Sequence, residues 1–127
     1  MSQGFKERRA AFRVAIRPGS GLQAAFVVGG KIYEARASNL SANGIFFRPV
    51  EQRAAPRLSV ADRVDVEVKY EGLDLRLRGV VCYRRDGGYG IHFPRQDSDG
   101  YLNPREQLGR IADALQRRSV SLPGGSP

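Results

Sequence analysis

The chain has 127 residues, enough for one domain of the usual size. Its hydrophobic fraction of 41% and charged fraction of 27% are those of a folded soluble domain and exclude both a disordered polymer and a membrane span. Charge is the distinctive quantity: 21 basic residues against 13 acidic ones leave a formal +8.

That excess points to an anionic partner. Eighteen of the basic residues are arginine and only Lys6, Lys31 and Lys69 are lysine, and the planar arginine fork suits phosphates and guanine edges better than a lysine point charge does. An arginine-rich codon bias with a merely solvated surface is the plain alternative. Cys82 is the sole cysteine, which excludes an internal disulfide or a cysteine-based zinc site and points to the cytoplasm. No apolar run approaches the roughly 18 residues of a membrane helix, and Met1 to Lys6 lack the apolar segment of a signal peptide.

Residues 1–12 are polar and arginine-rich, and are expected to form a mobile arm. Leu22 to Val28 and Lys31 to Ala37 read as two strands of a hairpin turned by Gly29-Gly30. Gly44 to Arg48 is a short third strand before Pro49, and residues 49–61, with two prolines and no period, form a crossing loop. Val64, Val66, Val68 and Tyr70 alternate with Asp65, Glu67 and Lys69, the pattern of a strand with one buried face. After a turn at Glu71-Gly72, Leu73, Leu75 and Leu77 continue the alternation into Val80-Val81-Cys82, with Gly79 as the expected position of a bulge. A turn at Asp86-Gly87-Gly88 leads to a last strand, Tyr89 to Phe93.

Six strands joined by short turns predict a small barrel. A helix is predicted over 103–118, with Asn103 as N-cap, Pro104 at the first helical position and Glu106 in a capping-box-like arrangement. Leu108, Ile111 and Leu115 form its apolar stripe. The expected organisation is a single domain over 1–118, with an arm (1–12), a barrel (13–94) and the helix, followed by a flexible tail over 119–127.

Two segments carry recognition chemistry at strand borders: Arg8-Arg9-Ala10-Ala11-Phe12-Arg13 and Asn39-Leu40-Ser41-Ala42-Asn43-Gly44. Each alone has an ordinary explanation, a solvated terminus for the first and local Asx or Ser turns with an unusual glycine angle for the second. In this order, and followed by strands, they resemble the two motifs of the PilZ domain family, Arg-x-x-x-Arg and Asp/Asn-x-Ser-x-x-Gly. Arg9 and Arg13 fill the first, Arg8 matches an additional arginine that often precedes it, and Asn39, Ser41 and Gly44 fill the second. The resemblance extends through Tyr89-Gly90-Ile91-His92-Phe93 to the terminal helix.

The resemblance implies a mainly β fold, a six-stranded antiparallel split barrel with a C-terminal helix, that binds cyclic di-GMP and needs no cofactor. Guanine presents N7 and O6 as paired acceptors for an arginine fork, which assigns Arg9 and Arg13 to that edge and to the phosphates. Arg8 bears on binding of a ligand dimer. The Asn39 amide accepts from a guanine N–H, Ser41 contributes its hydroxyl, and Gly44 admits close approach. Tyr83 falls near a position where some family members stack an aromatic on a base; equally, it stands in phase with Leu75, Leu77 and Val81 as a core residue. The implied role is an adaptor whose arm closes over the ligand and alters a surface met by an effector protein.

No catalytic triad, phosphate-cradling glycine loop or metal-ligand spacing is present, and lone His92 in an apolar strand reads as structural, so an enzyme is not expected. Two other readings stay open. One is a basic barrel binding single-stranded nucleic acid through its arginines and exposed Phe46, Phe47 and Tyr83. The other is a PilZ-like protein-interaction module that ignores the ligand.

Overall fold

The computed structural model describes residues 12–121, with side chains through residue 118. The expected arm therefore falls outside the described residues except at Phe12, as do Arg8, Arg9 and the last six residues of the tail. Seven strands are formed: β1 (Val14–Ala15), β2 (Gln23–Val28), β3 (Lys31–Ser41), β4 (Gly44–Pro49), β5 (Arg63–Tyr70), β6 (Leu73–Arg85) and β7 (Gly88–His92); one helix, α1 (Arg105–Ser121), follows.

The strands run in the order β1-β3-β2-β5-β6-β7-β4, and a further β3–β4 pairing closes the sheet. Closure depends on the length of β3. Its first half pairs with β2 (Val28↔Lys31 to Ala24↔Ala35), and its second half pairs with β4 (Ala35↔Pro49 to Ser41↔Gly44). Strands β2 to β7 thus make the six-stranded antiparallel barrel, and β1 is a two-residue addition on β3, at Val14↔Leu40 and Ala15↔Asn39. Closure leaves few ladder groups without partners, which is how small barrels avoid exposed sheet edges.

Three hairpins share one turn chemistry. Gly29-Gly30, Glu71-Gly72 and Asp86-Gly87 all have positive φ at both positions, from 45° to 86°, the type I′ geometry whose twist matches that of the flanking strands. Inward residues fill the barrel: Phe26, Phe47, Leu77, Val81 and Phe93 are almost wholly excluded from solvent. Phe26 and Phe47 stack at 4.9 Å, and Tyr89 caps the layer, accepting a hydrogen bond at its hydroxyl from the Leu58 N–H of the crossing loop (3.1 Å). Leu108, Ile111, Ala112 and Leu115 of α1 join this core, and the helix packs beside β1 and β3.

Four sequence-level expectations change. The bulge lies between Val81 and Tyr83, at Cys82, rather than at Gly79. Gly79 instead faces inward where any Cβ would stand 2.4 Å from the Ile91 side chain and 2.9 Å from Phe93, so its role is to make room. The sixth strand runs on to Arg85, and β7 spans Gly88–His92 rather than 89–93.

The fourth concerns Asn103, whose side chain is not a helix cap. Its Oδ1 accepts from the Arg78 N–H (2.7 Å), and its Nδ2 donates to the Arg78 carbonyl (2.9 Å) and to the Pro94 carbonyl (2.7 Å). The register Val80↔His92 would bring Pro94 opposite Arg78, and proline has no N–H to continue the ladder. The Asn103 carboxamide supplies the missing donor and stands in for a peptide group. The helix itself starts two residues later than expected, at Arg105.

Candidate functional site

The outer wall of the barrel carries the residues singled out by sequence. Side chains alternate along each strand, and Leu40, Ile45 and Ile91 point inward, so Asn39, Ser41, Gly44, Phe46, Gly90 and His92 point out. Cross-strand pairing aligns them in rows: Ala15, Asn39, Phe46, Gly90 and Tyr83 form one, and Ser41, Gly44 and His92 the next. A trough of about 130 Å³ runs across these rows, lined by Arg13, Asn39, Ser41, Asn43, Gly44, Tyr83, Gly90 and His92 among others. Four of the six motif residues thus meet in one place, together with Tyr83. Arg8 and Arg9 lie outside the described residues.

Glycine makes the floor. Gly44 has no positive φ, so an unusual backbone angle is not its reason. A Cβ there would sit 2.9 Å from the Ile91 carbonyl oxygen of the paired strand. Gly90 is tighter still, with its hypothetical Cβ 2.3 Å from two ring atoms of Tyr83. The tyrosine therefore lies flat over Gly90 and stacks on Phe46 at 6.0 Å with 15° between planes.

The bulge at Cys82 puts it there. Two residues past the inward Val81, Tyr83 would point into the core; the extra residue inverts the phase and pairs Tyr83 with outward Gly90. The core reading of Tyr83 is thereby corrected. Phe46 also faces outward yet is only 2% exposed, buried beneath Tyr83 and the guanidiniums of Arg48 and Arg85, each 5.2 Å from its ring centroid. Phe47 lies wholly in the core. Neither phenylalanine offers the exposed stacking face that single-stranded nucleic acid binding requires.

The β3–β4 turn, Ala42-Asn43, is fastened from inside. The Ser41 hydroxyl donates to Asn43 Oδ1 (3.0 Å) and accepts from the Asn43 N–H (3.3 Å), with Ser41 itself only 3% exposed. With Oδ1 occupied, the Asn43 carboxamide has its Nδ2 protons to offer the trough. Among the described residues the Asn39 amide makes no side-chain hydrogen bond, and Arg13 is exposed with no ion pair. Asn39 and Arg13 therefore bring to the trough polar groups that no described residue takes up. Asn43 and His92 were not singled out from sequence as site residues. The inward positions Tyr89, Ile91 and Phe93 place His92 on the outer face, and that alternation was the available signal.

A second polar cluster on the β5–β6 side is structural. Asp97 Oδ1 accepts from the N–H groups of Tyr101 (2.8 Å) and Asp99 (2.9 Å), and Oδ2 pairs with Arg78 (3.2 Å). Burial pulls the Asp97 carboxyl upward, but these hydrogen bonds together outweigh it and leave the pKa below the ordinary aspartate value. Arg78 also lies over the Tyr101 ring at 4.6 Å. The described residues contain no group of three His, Cys, Asp or Glu side chains placed to hold a metal, and no helix long and apolar enough to cross a membrane.

The barrel is filled by its own side chains, and polar and aromatic groups gather on a glycine-floored outer wall. The sequence model of the PilZ domain matches residues 7–113, and the chain belongs to the PilZ domain family, whose members are receptor and adaptor modules rather than enzymes. No curated protein sequence matches.

Solved structures share the fold at low identity. The PilZ domain of YcgR from Escherichia coli, with c-di-GMP, superposes with a TM-score of 0.68 at 18% identity, over 90% of this chain and 95% of that one. The inhibitor of motility MotI/DgrA of Bacillus subtilis gives 0.63 at 12% identity, over 91% of this chain and 52% of that one. PlzA of Borreliella burgdorferi, in complex with c-di-GMP, gives 0.55 at 17% identity, over 91% and 45% respectively.

Proposed function

We propose that this chain is a receptor for cyclic di-GMP, with Arg8, Arg9, Arg13, Asn39, Ser41 and Gly44 as its ligand contacts and Tyr83 as a wall of the site. The observation that carries the reading is the trough itself: Arg13 from one motif and Asn39, Ser41 and Gly44 from the other line a single hollow. Cyclic di-GMP in two of the fold relatives supports the ligand class.

Each contact has a chemical reason. The Arg13 and Arg9 forks donate in pairs to guanine N7 and O6 or to phosphate oxygens. The Asn39 oxygen accepts from a guanine N–H, and the Ser41 oxygen, bonded twice within its turn, has a lone pair left to accept. Glycine at 44 lets the ligand lie against the backbone. A trough of about 130 Å³ is well short of the roughly 300–1,000 Å³ of a site that encloses a small molecule. It makes one wall, and the arginines just before Arg13 supply the other by closing over the ligand. Ligand contacts with the closed arm then favour the ordered state, and the altered surface beside β1 and α1 meets an effector protein.

Calorimetric titration of the full chain with cyclic di-GMP tests this. Saturable heat is expected, weakened roughly tenfold or more in Arg9→Ala, Arg13→Ala and Asn39→Ala, the loss of a charge-assisted or base-edge pair. Absence of heat with the unaltered chain refutes the ligand. Equal binding by Arg9→Ala refutes the arm. Binding of an effector regardless of ligand points to a ligand-independent module.

A further inference from the structure

A second hollow, on the other side of β1 from the trough, lies between residues 16–22 and the middle of β3, with a volume of about 540 Å³. Its loop is preformed. Arg17-Pro18-Gly19-Ser20 closes a turn through the Ser20 N–H and the Arg17 carbonyl (3.2 Å), with proline in the second position and Gly19 at φ 83° in the third, a type II turn. The Leu22 N–H then donates to Ser20 Oγ (3.2 Å).

The polar side chains of this hollow are Arg17, Arg36, Ser20 and Ser38. Ser20 Oγ accepts from Leu22 and Ser38 Oγ accepts from Arg48 (3.2 Å), so each hydroxyl keeps its own proton to donate. Both guanidiniums are donors only. No carboxylate lines the hollow, and among the described residues neither Arg17 nor Arg36 has an ion pair. Arg36 also stands directly opposite Arg48 across the β3–β4 ladder, a like-charge pairing that costs stability.

The contrast within the barrel is sharp. On the β5–β6 side, Arg63, Arg76 and Arg78 are each matched by Asp65, Glu67, Asp97 or Asp99. Arg17 and Arg36 have no such ion pair among the described residues, although Glu34 stands two residues from Arg36 on the same face of β3. Ile16 and Leu22 add apolar surface to the lining, and the volume falls within the range of small-molecule sites.

We propose that this hollow is an anion site separate from the trough, taking a phosphate ester of mononucleotide size: Arg17, Arg36 and the two serine hydroxyls hold the phosphoryl oxygens, and Ile16 and Leu22 cover the organic body. An anion there relieves the Arg36–Arg48 repulsion and receives donors already held in place by the type II turn.

Amide chemical shifts of the 15N-labelled full chain, titrated at low ionic strength with inorganic phosphate, 5′-GMP and guanosine, test the proposal. Phosphate is expected to shift Ser20, Gly21 and Ser38 saturably, 5′-GMP to do so at lower concentration, and guanosine not at all. Arg17→Gln and Arg36→Gln each weaken binding roughly tenfold, the loss of a charge-assisted hydrogen bond; Arg53→Gln, on the exposed crossing loop, and Asn39→Ala leave it unchanged. Binding by phosphate but no gain with 5′-GMP overturns the organic-body assignment. Shifts that never saturate, equal weakening by Arg53→Gln, or loss in Asn39→Ala with Arg36→Gln unaffected overturns the site. The outcome is independent of the cyclic di-GMP titration, which reads Arg9, Arg13 and Asn39.

Discussion

Replacing Asn103 by alanine removes one carboxamide and strands three backbone groups: the N–H and C=O of Arg78 and the C=O of Pro94. Asn103 is only 8% exposed, so water has little access to replace it. A buried polar group left without a partner costs about 1–3 kcal/mol, and carbonyls with a second lone pair sit at the low end. The expected loss is therefore about 3 kcal/mol, a large share of the roughly 5–15 kcal/mol that holds a domain folded.

With unfolding entropy near 2.1 cal/mol/K per residue, that loss lowers Tm by about 11 °C. Urea unfolding checks the size: the midpoint falls while the slope m stays constant, because the surface exposed is unchanged. Asn103→Asp is a sharper probe. It keeps an acceptor for Arg78 N–H but turns a carboxylate towards two carbonyls, so at neutral pH it should be no better than alanine. A loss below about 1 kcal/mol for Asn103→Ala, the size of a simple cap, would refute the peptide-mimic role.

Two more predictions bear on the site and its scaffold. Gly90→Ala places a methyl in the Tyr83 ring; the ring can swing away, so stability should fall only by the lost stack on Phe46, about 0.5–1.5 kcal/mol, while calorimetry shows weaker cyclic di-GMP binding. Unchanged affinity would remove Tyr83 from the ligand site. Asp97→Asn probes the loop that holds Asn103. Because the folded Asp97 pKa lies below its ordinary value, the carboxylate stabilises the fold above the unfolded pKa, and that contribution is lost as pH falls through the folded pKa. The variant should therefore be the less stable protein at neutral pH, with the gap closing in acid; a gap that widens below pH 4 would contradict the sign.

Much of the architecture is legible in the chain. Alternation over 64–70 and 73–77 marks which residues face inward, and Gly29-Gly30, Glu71-Gly72 and Asp86-Gly87 name their own turns, because positive φ at two successive positions is a demand few residues meet. The motif residues Arg13, Asn39, Ser41 and Gly44 are legible too, although nothing in the sequence places them on a common wall.

Strand, turn and helix identity were readable locally because interactions within a few positions set them, and the arginine excess and the residue types of the two motifs are plain in the chain itself. The tertiary structure decided direction and partnership. Tyr83 faces the trough because of a bulge whose position depends on pairing with β7, and one inserted residue reverses every later side chain. Asn103 binds a strand 25 positions away because Pro94 cannot extend the ladder. Gly44, Gly79 and Gly90 are glycines for the sake of neighbours that only the closed barrel brings near. Side-chain direction accumulates along a strand and partners come from across the sheet, so neither can be read from local pattern.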